Sequence, residues 1–320
     1  MAVHAFIFPG QGSQSVGMGR DLAAAFAPAR EVFEEVDDTL EQKLSKLMFE
    51  GPQEDLTRTE NTQPALMTHS MAVLRVLEHE GGITLADRAV LVAGHSLGEY
   101  TALCAAGSFT PAKAARLLRL RGAAMQKAVP AGEGAMAALL GAEMALALEI
   151  CEAATAAAPP GSGEIVETAN DNGGGQVVIS GSKAAVERAI EIAKTRGVKR
   201  AMLLPVSAPF HCQLMAPAAI AMQDALGEMP PLVPMVPLVA NVSAAKVTDP
   251  AEISRLLVEQ VTATVRWRES VLAMIAMGVD SFIEIGAGKV LSGLIRRIAP
   301  DAATASVGTP AEIEALLKTF

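Results

Sequence analysis

The tightest constraint on the fold of this chain is the join between an apolar run and a glycine-flanked serine. Residues 89–93 read Ala-Val-Leu-Val-Ala, and Gly94-His95-Ser96-Leu97-Gly98 follows at once. A short continuous apolar run is the signature of a strand buried on both faces, and so of a parallel sheet covered by helices. Residues 97–106 then read as a helix. Strand, G-x-S-x-G turn and helix in that order describe a nucleophile elbow. The turn requires small residues at 94 and 98, and it lifts the serine hydroxyl to a helix N-terminus. There the helix dipole and free N–H groups favour developing negative charge. The competing reading is an ordinary strand-to-helix turn with a capping serine.

The remaining pattern supports a parallel α/β sheet. Residues 3–8 read as a buried strand that ends in the glycine-rich turn Gly10-Gln11-Gly12-Ser13-Gln14. Residues 21–36 have helical period, Pro64 opens a second helix that stops at Gly81-Gly82, and 111–129 form another. Alternating strands and helices argue for an α/β architecture. The middle of the chain has a different rhythm: strand 135–140, helix 143–157, strands 164–170 and 176–180, helix 183–196, strand 199–205. That βαββαβ order is the ferredoxin-like arrangement. We therefore expect an α/β-hydrolase-like parallel-sheet core over 1–133 and 207–320, with an inserted ferredoxin-like small subdomain at 134–206. After it come a helix near 213–227, a strand at 236–241, helices near 251–261 and 267–277, and a strand at 281–285.

Composition removes several classes of function. Among 320 residues, Lys plus Arg number 26 and Asp plus Glu 35, for a net charge of −9, which argues against nucleic acid as a partner. Hydrophobic residues reach 51%, yet charges or prolines break every apolar stretch before it is long enough to cross a membrane. The first nine residues carry no basic run and lead straight into Pro9-Gly10, unlike a secretory leader. Cys104, Cys151 and Cys212 are far apart and odd in number, so neither a disulfide framework nor a zinc site is expected. The setting this implies is cytoplasmic and reducing, with no metal and no resident cofactor.

A serine needs a base. Of the five histidines, His95 adjoins Ser96 and should point elsewhere, His4 lies in the first strand, and His69 and His79 lie on an upstream helix. Elbow enzymes place their histidine after the serine, which leaves His211, just after the turn-like Ser207-Ala208-Pro209-Phe210. The alternatives are a structural histidine or a Cys212–His211 pair, though sequence neighbours seldom face each other. Most Asp and Glu residues between Ser96 and His211 fall in the inserted segment, away from the expected strand ends, so no standard acid presents itself and a backbone carbonyl remains open as the group that orients the base. An oxyanion hole needs two N–H donors. Leu97, the residue after the nucleophile, should supply one, and Gln11 in the turn after the first strand the other.

Phe8-Pro9-Gly10-Gln11-Gly12-Ser13-Gln14, Gly94-His95-Ser96-Leu97-Gly98-Glu99-Tyr100 and Pro209-Phe210-His211 together resemble the malonyl-CoA:acyl-carrier-protein transacylases of type II fatty-acid synthesis. The likeness extends over nearly the whole chain. It includes Thr62-Gln63-Pro64-Ala65, Arg121-Gly122, Met125-Gln126, Gln176-Val177-Val178-Ile179-Ser180-Gly181, Val265-Arg266-Trp267 and Glu284-Ile285-Gly286. The resemblance implies Ser96 as the acylated nucleophile, His211 as its base and the main-chain carbonyl of Gln260 as the group orienting His211. It implies backbone donors at Gln11 and Leu97, and Arg121 as the partner of the malonyl carboxylate, since a guanidinium pairs bidentately with a carboxylate. Asn170 and Phe210 become candidate substrate contacts, and Phe210 would crowd an α-methyl group.

Departures from the family pattern lie at Ala263-Thr264, Gly286-Ala287-Gly288 and the glycine-rich Asn170-Asp171-Asn172-Gly173-Gly174-Gly175. They bear on loop shape. The partners implied are malonyl-CoA and acyl carrier protein, served by a monomer. Rival readings are a serine hydrolase, an acyltransferase for another acyl unit in a polyketide pathway, and a silent carrier-protein-binding subunit. Because both implied partners are acidic, a local basic face should offset the net charge. Arg116, Arg119, Lys289, Arg296 and Arg297 are its candidates.

Overall fold

A computed structural model of the chain describes residues 2–319. It opens with β1 (His4–Phe8) and continues through α1 (Arg20–Ala25), α2 (Ala27–Leu40), α3 (Leu44–Glu50), α4 (Gln53–Thr57) and the long α5 (Thr59–Gly81). The short α6 (Leu85–Arg88) leads into β2 (Ala89–Gly94), α7 (Leu97–Ala105) and α8 (Pro111–Ala128). The middle comprises β3 (Gly134–Leu140), α9 (Met144–Ala156), β4 (Val166–Asp171), β5 (Gln176–Ser182), α10 (Lys183–Thr195) and β6 (Arg200–Leu203). A 3-10 turn at Gln213–Met215 precedes α11 (Ala216–Glu228), β7 (Leu238–Val239), β8 (Lys246–Val247), α12 (Pro250–Glu259) and α13 (Trp267–Ala276). The chain closes with β9 (Ser281–Ile285), α14 (Val290–Ile298), β10 (Ala303–Val307) and α15 (Pro310–Leu317).

The larger sheet has the order β10-β9-β1-β2-β7-β8. It is parallel except at the edge pair β7–β8. Its central strands are buried on both faces, as their apolar sequences require. The register of β1 on β2 brings their two C-terminal turns together. Phe8 pairs with Gly94 at the ends of these strands, and the His95 N–H donates to the Phe8 carbonyl at 3.1 Å. The glycine-rich turn after β1 and the elbow after β2 therefore leave the sheet side by side. Ligands of open α/β sheets bind at this carboxyl end.

The second sheet, antiparallel in the order β4-β5-β3-β6, carries α9 and α10 and encloses its own apolar cluster around Leu139, Ile150, Val177 and Ile179. This is the strand order of a ferredoxin-like βαββαβ unit. It is fastened to the larger sheet's layer along β4. Asp171 N–H donates to the Val265 carbonyl and Val265 N–H to the Ala169 carbonyl, each at 2.9 Å, while Arg268 pairs with buried Asp171 at 2.9 Å.

Several elements differ from the sequence expectation. The helix read over 21–36 is broken at Phe26, whose backbone is extended, because Pro28 has no N–H to continue a helix from α1. The helix expected to open at Pro64 starts at Thr59 and takes Pro64 inside its second turn. The run 236–241 yields only two residues of ladder at Leu238–Val239. In addition, α3, α4, α6, β8, α14, β10 and α15 are elements that the sequence pattern did not lead us to expect.

Candidate active site

The elbow owes its shape to two close backbone approaches. A Cβ at Gly94 would lie 1.9 Å from the Gly98 carbonyl oxygen, and one at Gly98 would lie 2.3 Å from that of Phe8. Neither distance can be accommodated by moving a side chain, so glycine is required at both positions. Ser96 itself sits at φ 55°, ψ −111°, a conformation that costs a non-glycine residue about 1–3 kcal/mol. Asn241 braces it. The Asn241 side chain accepts from the Ser96 N–H at 2.8 Å and donates to the Gly94 carbonyl at 2.7 Å.

The Ser96 hydroxyl lies 2.7 Å from His211 Nε2. On the other side of the ring, Nδ1 lies 2.8 Å from the main-chain carbonyl of Gln260. A carbonyl can only accept, so Nδ1 carries the proton and Nε2 presents its lone pair to the serine. Burial beside the Arg121 guanidinium holds the imidazole down to about 3, so His211 stays neutral and ready to accept. His211, too, has a left-handed backbone, at φ 60°.

Arg121, 1% exposed on α8, reaches the same point. Its Nη2 donates to Ser96 Oγ at 3.2 Å and to Gln260 Oε1 at 2.8 Å, and its Nη1 donates to Gln63 Oε1 at 2.9 Å. The guanidinium lies 5.6 Å from the Tyr100 ring centroid. Its Nε–H finds no acceptor in hydrogen-bond geometry, and Arg121 makes no ion pair among the described residues. Helix α8 comes this close because Gly122 lets it approach α5: a Cβ there would lie 2.6 Å from the Thr59 carbonyl oxygen.

Ser96, His211, Arg121 and Gln63 line a cleft of about 360 Å³, together with Gln11, Leu97, Met125, Met136, Asn170 and Phe210. The Leu97 N–H, at the first position of α7, has no acceptor within its helix. Ser96, Leu97, Gln11, Arg121, His211, Asn170 and Phe210 thus meet in one place, with Gln260 directly behind His211. His95 turns its Nε2 to Asn172 Oδ1 at 2.9 Å and its ring toward Trp267, linking the elbow to the smaller sheet. His69 is buried against the Gly308 carbonyl, and exposed His79 pairs with Glu80. None of Arg116, Arg119, Lys289, Arg296 or Arg297 lines the cleft. Lys289 pairs with Glu312, and Arg297 donates to Gln176.

Sequence reasoning missed Gln63, Glu99, Asn241 and the side chain of Gln260. The Gln260 amide is a hub. Its oxygen accepts from Arg121, while its nitrogen donates to Glu99 Oε2 at 2.7 Å, to the Ser96 carbonyl at 3.0 Å and to Asn241 Oδ1 at 3.3 Å. The available signal was polar residues inside apolar surroundings: Glu99 early in an otherwise apolar helix, and Asn241 at the end of an apolar strand.

An α/β fold that holds an elbow serine against a neutral histidine defines a serine-dependent acyl-group enzyme, a class that spans transferases and hydrolases. The profile of the acyl transferase domain family matches residues 5–310, and the chain belongs to that family. It is 47% identical to a Bacillus subtilis protein named malonyl CoA-acyl carrier protein transacylase, over 100% of this chain and 98% of the relative. Among solved structures it is similar to the acyl-carrier-protein-S-malonyltransferase of Bartonella henselae, with 55% identity, a TM-score of 0.95 and 99% of each chain covered. It is likewise similar to a malonyl-transacylase solved in complex with its type II PKS acyl-carrier protein, with 41% identity, a TM-score of 0.94 and 100% of each chain covered.

Proposed function

We propose that the chain moves a malonyl group from coenzyme A to the phosphopantetheine thiol of acyl carrier protein, through an ester on Ser96. The observation that carries this reading is the meeting of two groups at one oxygen: Ser96 Oγ lies within hydrogen-bond reach of both a neutral histidine and a buried guanidinium. The first makes the serine a nucleophile. The second places a carboxylate-binding group where the far end of a malonyl unit must lie. The names of the relatives at 41–55% identity support the same substrates.

His211 Nε2 takes the proton of Ser96 as the oxygen attacks the thioester carbon. The carbonyl oxygen becomes an oxyanion, stabilised by the N–H groups of Leu97 and Gln11. The carbonyl re-forms, the C–S bond breaks, and the imidazolium returns its proton to the departing thiolate of CoA. The carrier thiol then repeats the sequence in reverse: it loses its proton to His211, attacks the ester and releases Ser96. Gln260 fixes the tautomer throughout from its main-chain oxygen, in the place an Asp holds in other serine enzymes. Arg121 grips the free carboxylate, and Phe210 and Asn170 close on the acyl group. The walls of the cleft keep water from competing with the thiol.

The same reading takes 134–206 as a subdomain inserted into a core of 1–133 and 207–320. Its support is the separate sheet and separate apolar cluster, with the cleft at the seam. It sets the enzyme in the cytoplasm, in keeping with three free, buried cysteines; no helix among the described residues is long and apolar enough to cross a membrane.

Intact-mass measurement after mixing with malonyl-CoA tests the proposal. The wild type should gain one malonyl group and pass it to the carrier thiol, and Ser96→Ala should gain none. A malonyl adduct that persists in Ser96→Ala, or free malonate released as fast without a carrier as with one, would overturn it.

A further inference from the structure

Glu99 is an ionisable residue at the centre of the site to which the acyl-transfer mechanism gives no work. It lies in the first turn of α7, 1% exposed. Its Oε2 accepts from Gln260 Nε2 at 2.7 Å and from the Asn241 N–H at 3.2 Å. It does not touch Arg121. The two are joined through one amide: Gln260 turns its nitrogen to Glu99 and its oxygen to Arg121 Nη2. A carboxylate can only accept, so it sets which way that amide faces. It also supplies negative charge to a guanidinium that is buried without an ion pair.

We propose that Glu99 is a positioning residue whose buried charge balances Arg121 in the free enzyme, and that it takes up one proton from solvent when the carboxylate of an acyl group reaches Arg121. This rests on the reading of Arg121 as the malonyl partner. Two carboxylates flanking one guanidinium in a water-poor site cannot both stay ionised at low cost. The incoming one makes the direct charge-assisted contact, so Glu99 yields. Its poise is suitable, since burial raises its carboxyl to about 7.

The surroundings leave Arg121 as the dominant charge acting on Glu99. Strands β1 and β2, packed on α7, present buried apolar residues from Ala5 to Phe8 and from Leu91 to Ala93. Helix α5 contributes the uncharged Gln63 and turns His69 to Gly308. On α7 itself, Tyr100 is driven well above its ordinary range, and Cys104 likewise by burial, with Glu35 adding to the shift. His211 remains neutral behind Gln260.

The test is the ratio of kcat/KM for acyl-enzyme formation with malonyl-CoA to that with acetyl-CoA, measured from pH 6 to 9. Acetyl brings no carboxylate, so the ratio cancels effects on the nucleophile and its base. In the wild type it should be level below about pH 7 and fall above it, approaching tenfold per pH unit. In Glu99→Gln, which keeps the acceptor oxygen but not the charge, it should be level throughout. A wild-type ratio level across the whole range overturns the proposal, and so does a fall that Glu99→Gln leaves unchanged. Should Glu99→Gln not fold, Glu99→Asp, which keeps a carboxyl at shorter reach, must show the fall with a displaced midpoint; an unmoved midpoint counts against Glu99. A wild type with no preference for malonyl at any pH would instead refute the underlying role of Arg121.

Discussion

Arg121 brings a full positive charge into a site where its hydrogen-bond partners among the described residues are neutral: a serine and two glutamines. Burial lowers the pKa of a guanidinium, but from so high a starting value that it stays charged. Such a group gains most from a ligand carboxylate, in a bidentate, charge-assisted pair worth about 2–3 kcal/mol. Arg121→Ala should therefore lower malonylation relative to acetylation by roughly 30- to 150-fold. Burst measurements with the two CoA esters check this, and an unchanged ratio would sink the clamp. At this scale the sequence was legible where chemistry needs a rare residue at a motif. Ser96 stands in the elbow, and His211 is the one histidine downstream of it. Gln63, Glu99 and Asn241 were not legible. Glu99 and Asn241 meet at one amide, Gln260, that lies 19 residues from Asn241 and 161 from Glu99, and Gln63 acts through Arg121, 58 residues away. No local spacing encodes such a meeting.

Among the elements, the pair α5 and α8 decides where the guanidinium stands. Gly122 faces the backbone of α5, where a Cβ would lie 2.6 Å from the Thr59 carbonyl oxygen and 2.7 Å from Glu60 Cα. Two effects oppose each other in Gly122→Ala. Alanine favours an isolated helix by about 1 kcal/mol, whereas overpacking against backbone costs about 1–3 kcal/mol and cannot be relieved by a rotamer change. The clash should win. The variant should melt several degrees lower and lose more malonyl than acetyl transfer, because separating the helices pulls Arg121 from Gln63. Thermal unfolding followed by the two rates checks it; a variant as stable as the parent would show that α8 moves freely. Helix period and glycine turns made the strand–helix alternation and the βαββαβ order readable. The misreadings have local causes. Pro64 reads as a helix start, but α5 gains enough from packing on α8 and α2 to carry a proline in its second turn. Phe26 lies in an apolar pattern continuous across two helices, so its extended backbone left no mark on the period.

Across the whole molecule, buried histidines set the response to acid. Burial lowers His69 to about 4, His211 to about 3, and His95 as well. In the unfolded chain all three would protonate near 6.5. As pH falls below 6.5 the unfolded state binds protons that the native state refuses, so stability declines down to the folded values. Glu99, raised to about 7, works in the opposite sense: the native state holds its proton between about 7 and 4.5 while the unfolded chain does not. Burial raises Glu284 too, in the same sense as Glu99, and the histidines still leave the unfolded state ahead. With about 1.4 kcal/mol per proton per pH unit, His69 and His211 against Glu99 should lower stability by about 1 kcal/mol for each unit between pH 6.5 and 5, and His95 adds in the same direction. His211, the proposed base, follows a different course, since it remains unprotonated through that window. Loss of acyl transfer in acid should therefore track loss of the fold, not titration of an ordinary histidine near 6.5. Melting temperature and the initial rate of acyl-enzyme formation, both taken from pH 8 to 5, separate the two. A rate that halves near pH 6.5 while the melting temperature holds constant would mean that His211 titrates as an exposed imidazole, and that the site is wetter than its packing implies.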